Sequence, residues 1–289
     1  MKSLKKMNFT GLLPMTLGMA TMLFFSCNKE ESPSMDGEQS LDVVALTASD
    51  EAELISEEVI TVAEDVYATD EISTISKASY RSDYLPDCVT ITTVITDTTR
   101  EKTIDFGSGC ELPNGNVLSG IILLSYEKDM ELATKTITLS LVDFTFNEVA
   151  VEGGATIERV RSNENGNPQA DATGAFSGTW PDGSTSNFTG NRTREWIEGY
   201  GSGFWGDNVF LITGKRTYTG PLGNVFIKET LTPLRREWSC RFIVSGILEI
   251  SRNDLTASLD FGDGECDAKG VLTYPDGSTE EIFLRRFRN

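Results

Sequence analysis

A stretch that alternates aromatic residues with glycines is the first place in this chain where the residue types suggest chemistry. Trp196, Tyr200, Phe204 and Trp205 are interleaved with glycines and flanked by acidic residues. Aromatic rings stack on the apolar faces of sugars, while neighbouring carboxylates accept hydrogen bonds from hydroxyl groups. The alternative is that these rings cover the glycines of neighbouring strands and fill the core. We take the four aromatic residues as candidate ligand-binding residues, with carbohydrate as the ligand class.

The composition excludes most catalytic designs. The chain contains no histidine in 289 residues, which removes Ser-His-Asp and Cys-His nucleophile systems and His-ligated zinc. Two carboxylates acting as a glycosidase pair remain chemically open, but nothing in the sequence singles out one pair among 44 acidic residues. We therefore predict a protein that is not an enzyme, with no catalytic residue, no cofactor and no metal site.

The charge of the chain restricts its partners. The formal net charge is -19 at pH 7, and three of the lysines lie within the first six residues. A strongly acidic protein repels the phosphate backbone, so the charge argues against nucleic acid as a partner. The acidic residues are concentrated between Cys27 and Ser76, which predicts that the remaining chain is only mildly acidic.

The first 26 residues have the pattern of a lipoprotein signal peptide. A lysine-rich start precedes an apolar stretch that ends in Phe24-Phe25-Ser26, directly before Cys27. An uncleaved membrane anchor is the alternative, but glycine and proline residues interrupt the stretch and no stop-transfer charges follow. The sequence predicts lipidation of Cys27. Residues 27–48 are then a polar, flexible tether.

The next segment, residues 49–84, is predicted to contain an acidic amphipathic helix and a linker. Ser49 is suited to cap a helix over Asp50–Tyr67. Apolar residues recur in it at helical spacing: Ile55, Val59, Val62, Ala63 and Val66. We expect this apolar stripe to pack on the following domain in preference to binding a partner.

Residues 85–289 have the alternation of an all-β domain. Phe242, Val244, Leu248 and Ile250 share one face of a strand, and a second alternating run answers it across a polar turn. Turn signals recur at hairpin spacing: Asn114-Gly115, Pro181-Asp182-Gly183, Pro221-Leu222-Gly223, Asn253-Asp254 and Pro275-Asp276-Gly277. A change of phase near Val142-Asp143 predicts a β-bulge or a strand break. The pattern fits an antiparallel meander that forms a sandwich or a curled sheet.

Four of the five cysteines remain for disulfides after Cys27 is assigned to lipidation. Four cysteines allow three pairings, and symmetry selects one of them. Cys88 and Cys110 lie nearly symmetrically about one polar turn, and Cys240 and Cys266 about another. Residues equidistant from a hairpin turn face each other, so we predict the bridges Cys88–Cys110 and Cys240–Cys266.

An internal duplication underlies these hairpins. The segment Ile104–Cys110, with the sequence IDFGSGC, is echoed by Leu259–Cys266, with the sequence LDFGDGEC. With its acidic helix after the tether and its tail of Pro-Asp-Gly-Ser hairpins, the chain resembles a family of surface-exposed Bacteroidota lipoproteins with duplicated DFG-x-G-C hairpins. The resemblance implies a location and a fold class, and it implies no reaction.

Two short motifs add to this resemblance. Lys29, Glu30 and Glu31 are similar to the signal that exports Bacteroidota lipoproteins to the outer face of the outer membrane. It implies that the chain is held there by its lipid anchor, facing the cell exterior. Thr98, within Asp97-Thr98-Thr99, resembles an O-glycosylation acceptor of the same bacteria and is predicted at an exposed hairpin tip.

The sequence therefore predicts a non-enzymatic surface lipoprotein that binds a ligand, with polysaccharide the leading class. A structural or protein-interaction module of the cell envelope is the alternative, with an envelope protein as its partner. A carboxylate-dependent enzyme acting on glycans is the third hypothesis.

Overall fold

The computed structural model describes residues 40–284, which comprise one long helix followed by an antiparallel sheet. The predicted lipidation site and export signal lie outside the described residues. The elements are α1 Val43–Ser76, β1 Thr90–Ile95, β2 Thr99–Asp105, β3 Cys110–Glu111, β4 Val117–Glu127, β5 Thr134–Phe146, β6 Val149–Val160, β7 Gln169–Thr179, β8 Thr185–Glu198, β9 Val209–Thr219, β10 Val225–Glu237, β11 Ile243–Arg252, β12 Leu255–Asp263, β13 Lys269–Thr273 and β14 Thr279–Phe283. A short 3-10 turn, Trp205–Asp207, precedes β9.

Helix α1 is longer at both ends than the sequence pattern indicates. Asp42 is the N-cap, and its carboxylate accepts hydrogen bonds from the amides of Val44 and Ala45. Ser49 lies inside the helix, where its hydroxyl donates to the carbonyl of Leu46. Within residues 40–284, no helix combines the length and the apolar character needed to cross a membrane.

The strands form one antiparallel sheet in which each strand pairs with its neighbours along the chain. The order runs from β1 to β14, with the short β3 pairing beside β4. Strands β1 and β14 are the two edges, so the sheet is open. The prediction of an all-β meander is confirmed, and the single sheet is the curled form rather than two packed layers.

The sheet curves around α1, which lies at its centre. Between residues 52 and 68 of the helix, every residue except Ser56 is buried. Basic side chains from strands as far apart as β2 and β10 form ion pairs with this one helix. A flat sheet covers only one side of a helix, so burial on all sides requires the sheet to wrap around it. The apolar stripe of α1 and the inner faces of the strands form one continuous core.

The turn chemistry and the bulge agree with the sequence. The glycines of four predicted turns, Gly115, Gly183, Gly223 and Gly277, all have φ between 78° and 84°, a conformation that favours glycine. In β5 the pairing register shifts between Ser140 and Phe144, which confirms the predicted bulge.

Both predicted disulfides are present. Cys88 bonds Cys110 and Cys240 bonds Cys266, with Cα atoms 5.8 and 5.7 Å apart. Each bridge joins the chain before the first strand of a hairpin to the chain beyond its second strand. Cys88 lies in a turn closed by a hydrogen bond from Val89 to the carbonyl of Pro86. This turn brings Cys88 within bonding distance of buried Cys110, although Cys88 itself is exposed and out of phase with the strand that follows.

Candidate ligand-binding cavity

The acidic residues of α1 are charge-paired inside the sheet. Each bond joins a helix carboxylate to a basic side chain on an inner strand face: Asp70 to Arg100 (2.7 Å) and Lys102 (2.9 Å), Glu71 to Arg159 (3.1 Å), Glu64 to Arg194 (2.6 Å), Glu53 to Arg216 (2.7 Å) and Lys228 (3.2 Å), and Glu57 to Arg236 (3.5 Å). Buried charges of this kind require partners, because an unpaired ion loses its hydration without compensation. The pairs therefore fix the orientation of the helix within the sheet.

A signal for these pairs is present in the sequence but was missed. In β8, Arg192 and Arg194 lie in phase with Trp196, at alternate positions of the strand. Side chains two residues apart on a strand point to the same face. A basic residue in phase with buried apolar residues therefore marks an inward cation, and the acidic helix is the element that supplies its partner.

A cavity lies between α1 and strands β7 to β10, and we call it the inner cavity. On the helix side it is lined by Ser49, Glu53, Ser56 and Ile60, which share one helical face. Its volume is about 50 Å³. An apolar cavity of about 150 Å³ holds a benzene molecule, so the inner cavity accommodates a few waters or one carboxylate-sized group, and not a whole sugar ring.

Small residues on the inner sheet face create this space. Gly174 of β7 pairs with Gly190 of β8, and Gly190 pairs in turn with Arg216 of β9. A Cβ atom added at Gly190 would lie 2.8 Å from the Cα atom of Arg216. Gly214 lies opposite Arg192 in the same way, with 2.9 Å from an added Cβ to the Cα atom of Arg192. Each cavity arginine thus faces a glycine on the neighbouring strand.

An aromatic row closes one side of the inner cavity. Phe176, Phe188 and Tyr218 are cross-strand neighbours on β7, β8 and β9. The rings of Phe176 and Phe188 stack with their centroids 5.7 Å apart. The cavity therefore combines an apolar wall with a small number of charged groups, the usual character of a small-ligand site.

The charged groups that line the inner cavity are unbalanced. They are one carboxylate, Glu53, and three cations, Arg192, Arg216 and Lys228. Glu53 already bonds both Arg216 and Lys228. Arg192 is only 7% exposed, and in the part of the chain that the structure describes its Nε and Nη2 atoms have no hydrogen-bond partner. The Nε and Nη2 atoms of Arg216 are likewise unpaired there.

The burial of positive charge in the inner cavity changes the pKa of Arg192. Burial lowers the pKa of its guanidinium to about 10, against the opposing influence of Glu57. The positive charges of Arg194 and Arg216 lower it further. Arg192 nevertheless remains protonated at neutral pH, so the inner cavity holds a buried positive charge that an anion would stabilise.

The aromatic stretch predicted from the sequence is divided between core and surface. Trp196 is 4% exposed, and its indole N–H donates to the carbonyl of Glu198 and to Oδ1 of Asn208. Its ring packs against those of Tyr200 and Phe210, with both centroid distances 5.0 Å. Trp196 is therefore part of the core and is not placed to stack on a ligand.

The other three aromatic residues occupy different positions. Tyr200 is half-buried and donates a hydrogen bond from its hydroxyl to Glu71, 2.6 Å away. Trp205 is half-buried, and its amide donates to Asp83. Phe204 is 56% exposed and lies over Gly206, where an added Cβ would be 2.6 Å from the phenyl ring. Only Phe204 presents a large aromatic surface to solvent within this stretch, and it also covers a glycine.

The residues predicted for glycosylation and for the disulfides lie away from the inner cavity. Thr98 is exposed in the turn between β1 and β2, as predicted for its hairpin tip. The two disulfides join the ends of the hairpins β1–β2 and β11–β12. None of these residues lines the inner cavity.

Asp65 is a second buried ionisable group of α1. Burial raises its pKa from 3.8 to about 7, although the hydroxyl of Ser82 and the charge of Arg194 act to lower it. The nearby carboxylate of Asp83 raises it further. The folded protein therefore holds a proton on Asp65 up to about pH 7, whereas the unfolded chain releases it near its ordinary value.

This difference predicts a loss of stability as the pH rises from about 4 to 7, since the unfolded state binds fewer protons in that range. Asp65→Asn cannot ionise and is expected to reduce this loss. Melting temperatures of wild type and variant between pH 4 and 8 check it, and the variant should gain relative to wild type toward pH 8. An unchanged pH profile would show that Asp65 is ionised in the fold.

Comparison of the chain with profiles of known protein families, with curated protein sequences and with solved structures found no match in any of the three.

Proposed function

We propose that this chain is a non-enzymatic binding module, tethered through lipidated Cys27 to the outer face of the outer membrane. The proposal of location is supported by the signal-like residues 1–26 and by Lys29, Glu30 and Glu31. Protease added to intact cells would cleave a chain that faces the exterior and would spare one that faces the periplasm.

The observation that supports binding is the inner cavity. It combines the aromatic wall of Phe176 and Phe188 with a buried guanidinium, that of Arg192, whose Nε and Nη2 atoms have no hydrogen-bond partner among the described residues. An empty cavity and a buried charge both lower the free energy of unfolding. Their presence together therefore supports a role in binding over a role in stability alone. Carbohydrate remains the ligand class, with one substituent of the sugar entering the cavity and the ring remaining outside it.

A filled cavity tests this function. Ser56 faces the inner cavity, and its hydroxyl donates to the helix carbonyl of Glu53. Ser56→Leu should fill the space, keep the fold and abolish the rise in melting temperature caused by a binding polysaccharide. Ser76→Leu, on the exposed end of the same helix, is the matched control and should respond as wild type does. Equal responses from both variants would place binding elsewhere.

The alternative function, a protein-interaction module, is favoured by one observation. All six residues of the edge strand β1 are exposed, including Ile91, Val94 and Ile95. An uncharged edge strand can pair with a strand of an envelope protein. Val94→Lys would then abolish co-purification of that protein and leave ligand binding in the inner cavity unchanged.

A further inference from the structure

We infer that the group entering the inner cavity is anionic: a carboxylate, sulfate or phosphate substituent held between Arg192 and Arg216. The inference rests on the proposed function and specifies the ligand class of the same site. A free inorganic anion carries the same chemistry, so the experiment below separates an anion attached to a sugar from one that is not.

The first step is the position of Arg192. Its side chain lines the cavity and is 93% removed from solvent, given its 7% exposure. Its Nε and Nη2 atoms form one edge of the planar guanidinium, the edge that accepts a carboxylate or phosphate through two parallel hydrogen bonds. Among the described residues nothing accepts from either atom.

The second step is the position of Arg216. It lies on β9, diagonally across from Arg192 on β8, because Arg192 pairs with Gly214 and Arg216 pairs with Gly190. Diagonal cross-strand neighbours are within reach of each other's long side chains. Arg216 uses Nη1 for Glu53 at 2.7 Å, which leaves its Nε and Nη2 atoms unpaired among the described residues.

The third step is the contrast with the other inward cations. Arg159, Arg194, Lys102 and Lys228 each have a helix carboxylate within 3.2 Å. The helix thus supplies partners along its length. The Nε atoms of Arg159 and Arg194 are unpaired as well, but among the described residues only Arg192 and Arg216 also have an unpaired, buried Nη2 atom. In a chain with 44 acidic residues and 25 basic residues, a positively charged cavity is a local exception that selects anions.

The fourth step is the size of the inner cavity. A volume of about 50 Å³ accommodates the anionic group alone. Gly174 and Gly190 line the space without side chains, and an added Cβ at Gly190 would lie 2.8 Å from the Cα atom of Arg216. The apolar wall formed by Phe176 and Phe188 lowers the local dielectric and strengthens each ion–anion hydrogen bond.

The test uses the full chain in detergent and four probes at equal ionic strength: sodium galacturonate oligomers, galactose 6-sulfate, inorganic sulfate and neutral galactose oligomers. Dissociation constants come from calorimetry, and melting temperatures are recorded with each probe. We expect the acidic sugars to bind and raise the melting temperature, and the neutral sugar to bind at least tenfold more weakly.

The decisive variant is Arg192→Met, which should weaken binding of the acidic sugars at least tenfold. It should also raise the melting temperature of the unliganded protein, because it removes a buried charge with two unsatisfied hydrogen-bond donors. This gain separates lost binding from misfolding. Lys215→Met is the matched control: it removes one positive charge from the outer face of β9, where Lys215 bonds Glu229, and should bind as wild type does.

The outcomes distinguish the two proposals. If neutral sugars bind as well as acidic ones and Arg192→Met binds normally, the proposal of carbohydrate binding is supported and the proposal of an anionic group is overturned. If only inorganic sulfate raises the melting temperature, and does so through Arg192, the anion site stands and carbohydrate is wrong. If no probe binds, both proposals are overturned.

Discussion

Glu71→Gln is expected to lower the free energy of unfolding by about 3–5 kcal/mol, the usual result of removing one partner from a buried ion pair. Glu71 is 1% exposed and lies 3.1 Å from the guanidinium of Arg159. The hydroxyls of Tyr67 and Tyr200 donate to the same carboxylate. The amide keeps the shape of the side chain but leaves Arg159 charged, buried and without its counter-ion. Chemical denaturation of wild type and variant gives the difference.

Two further variants make this result interpretable. Glu229→Gln removes the same charge from an exposed pair with Lys215 and should change stability by less than about 1 kcal/mol. Adding Arg159→Met to Glu71→Gln should recover part of the loss, because it removes the stranded charge. A Glu71→Gln variant as stable as Glu229→Gln would show that the ion pair does not hold the helix in the sheet.

Glu53→Gln is expected to cost about 3–5 kcal/mol as well, and here an anion should restore the loss. Glu53 bonds Arg216 at 2.7 Å and Lys228 at 3.2 Å, and it is the only carboxylate among the described residues that line the inner cavity. Without it the three cations of the cavity repel one another at close range. Sodium sulfate should then raise the melting temperature of this variant by more than it raises that of wild type.

The control for this variant is Glu281→Gln, which removes a charge from the exposed pair with Lys269. Sulfate stabilises many proteins by exclusion from their surface, so the response of the control gives that general effect. If Glu53→Gln gains no more from sulfate than Glu281→Gln does, no anion enters the inner cavity.

The disulfide pairing and the meander could be predicted from the sequence because both depend on local symmetry. Cys88 and Cys110, like Cys240 and Cys266, are placed by hairpin turns that lie between them in the chain. The bulge at Asp143 was visible as a change of phase between Leu141 and Phe144. These features need only the period of a strand and the chemistry of a turn.

The role of the helix acids could not be predicted in the same way. Carboxylates beside an apolar stripe are usually solvated, and the pattern of the helix over Asp50–Tyr67 gives no sign that Glu53 and Glu64 are buried; Glu71 lies beyond the end of that predicted helix. The sheet instead wraps around α1 and provides cations on all sides. This outcome depends on the curvature of a whole sheet, and no local window of sequence contains it. The early helix start has a simpler cause, since Asp is as favourable an N-cap residue as Ser, and Asp42 precedes Ser49 in the chain.

The inner cavity could not be predicted from local sequence patterns either. It is lined by Gly174 and Gly190, which pair with each other across β7 and β8, and Gly190 pairs in turn with Arg216 of β9. The sequence shows glycines in strands but not their partners. The sequence analysis predicted a ligand site in the aromatic stretch instead, but Trp196 of that stretch is a core residue in the structure.

The most direct test of the anion site is a crystal structure of the full chain grown with a galacturonate oligomer. We expect a carboxylate of the sugar in the inner cavity, with its oxygens within hydrogen-bond distance of Nε and Nη2 of Arg192. A cavity that holds only water, with the oligomer bound elsewhere or absent, would contradict the account.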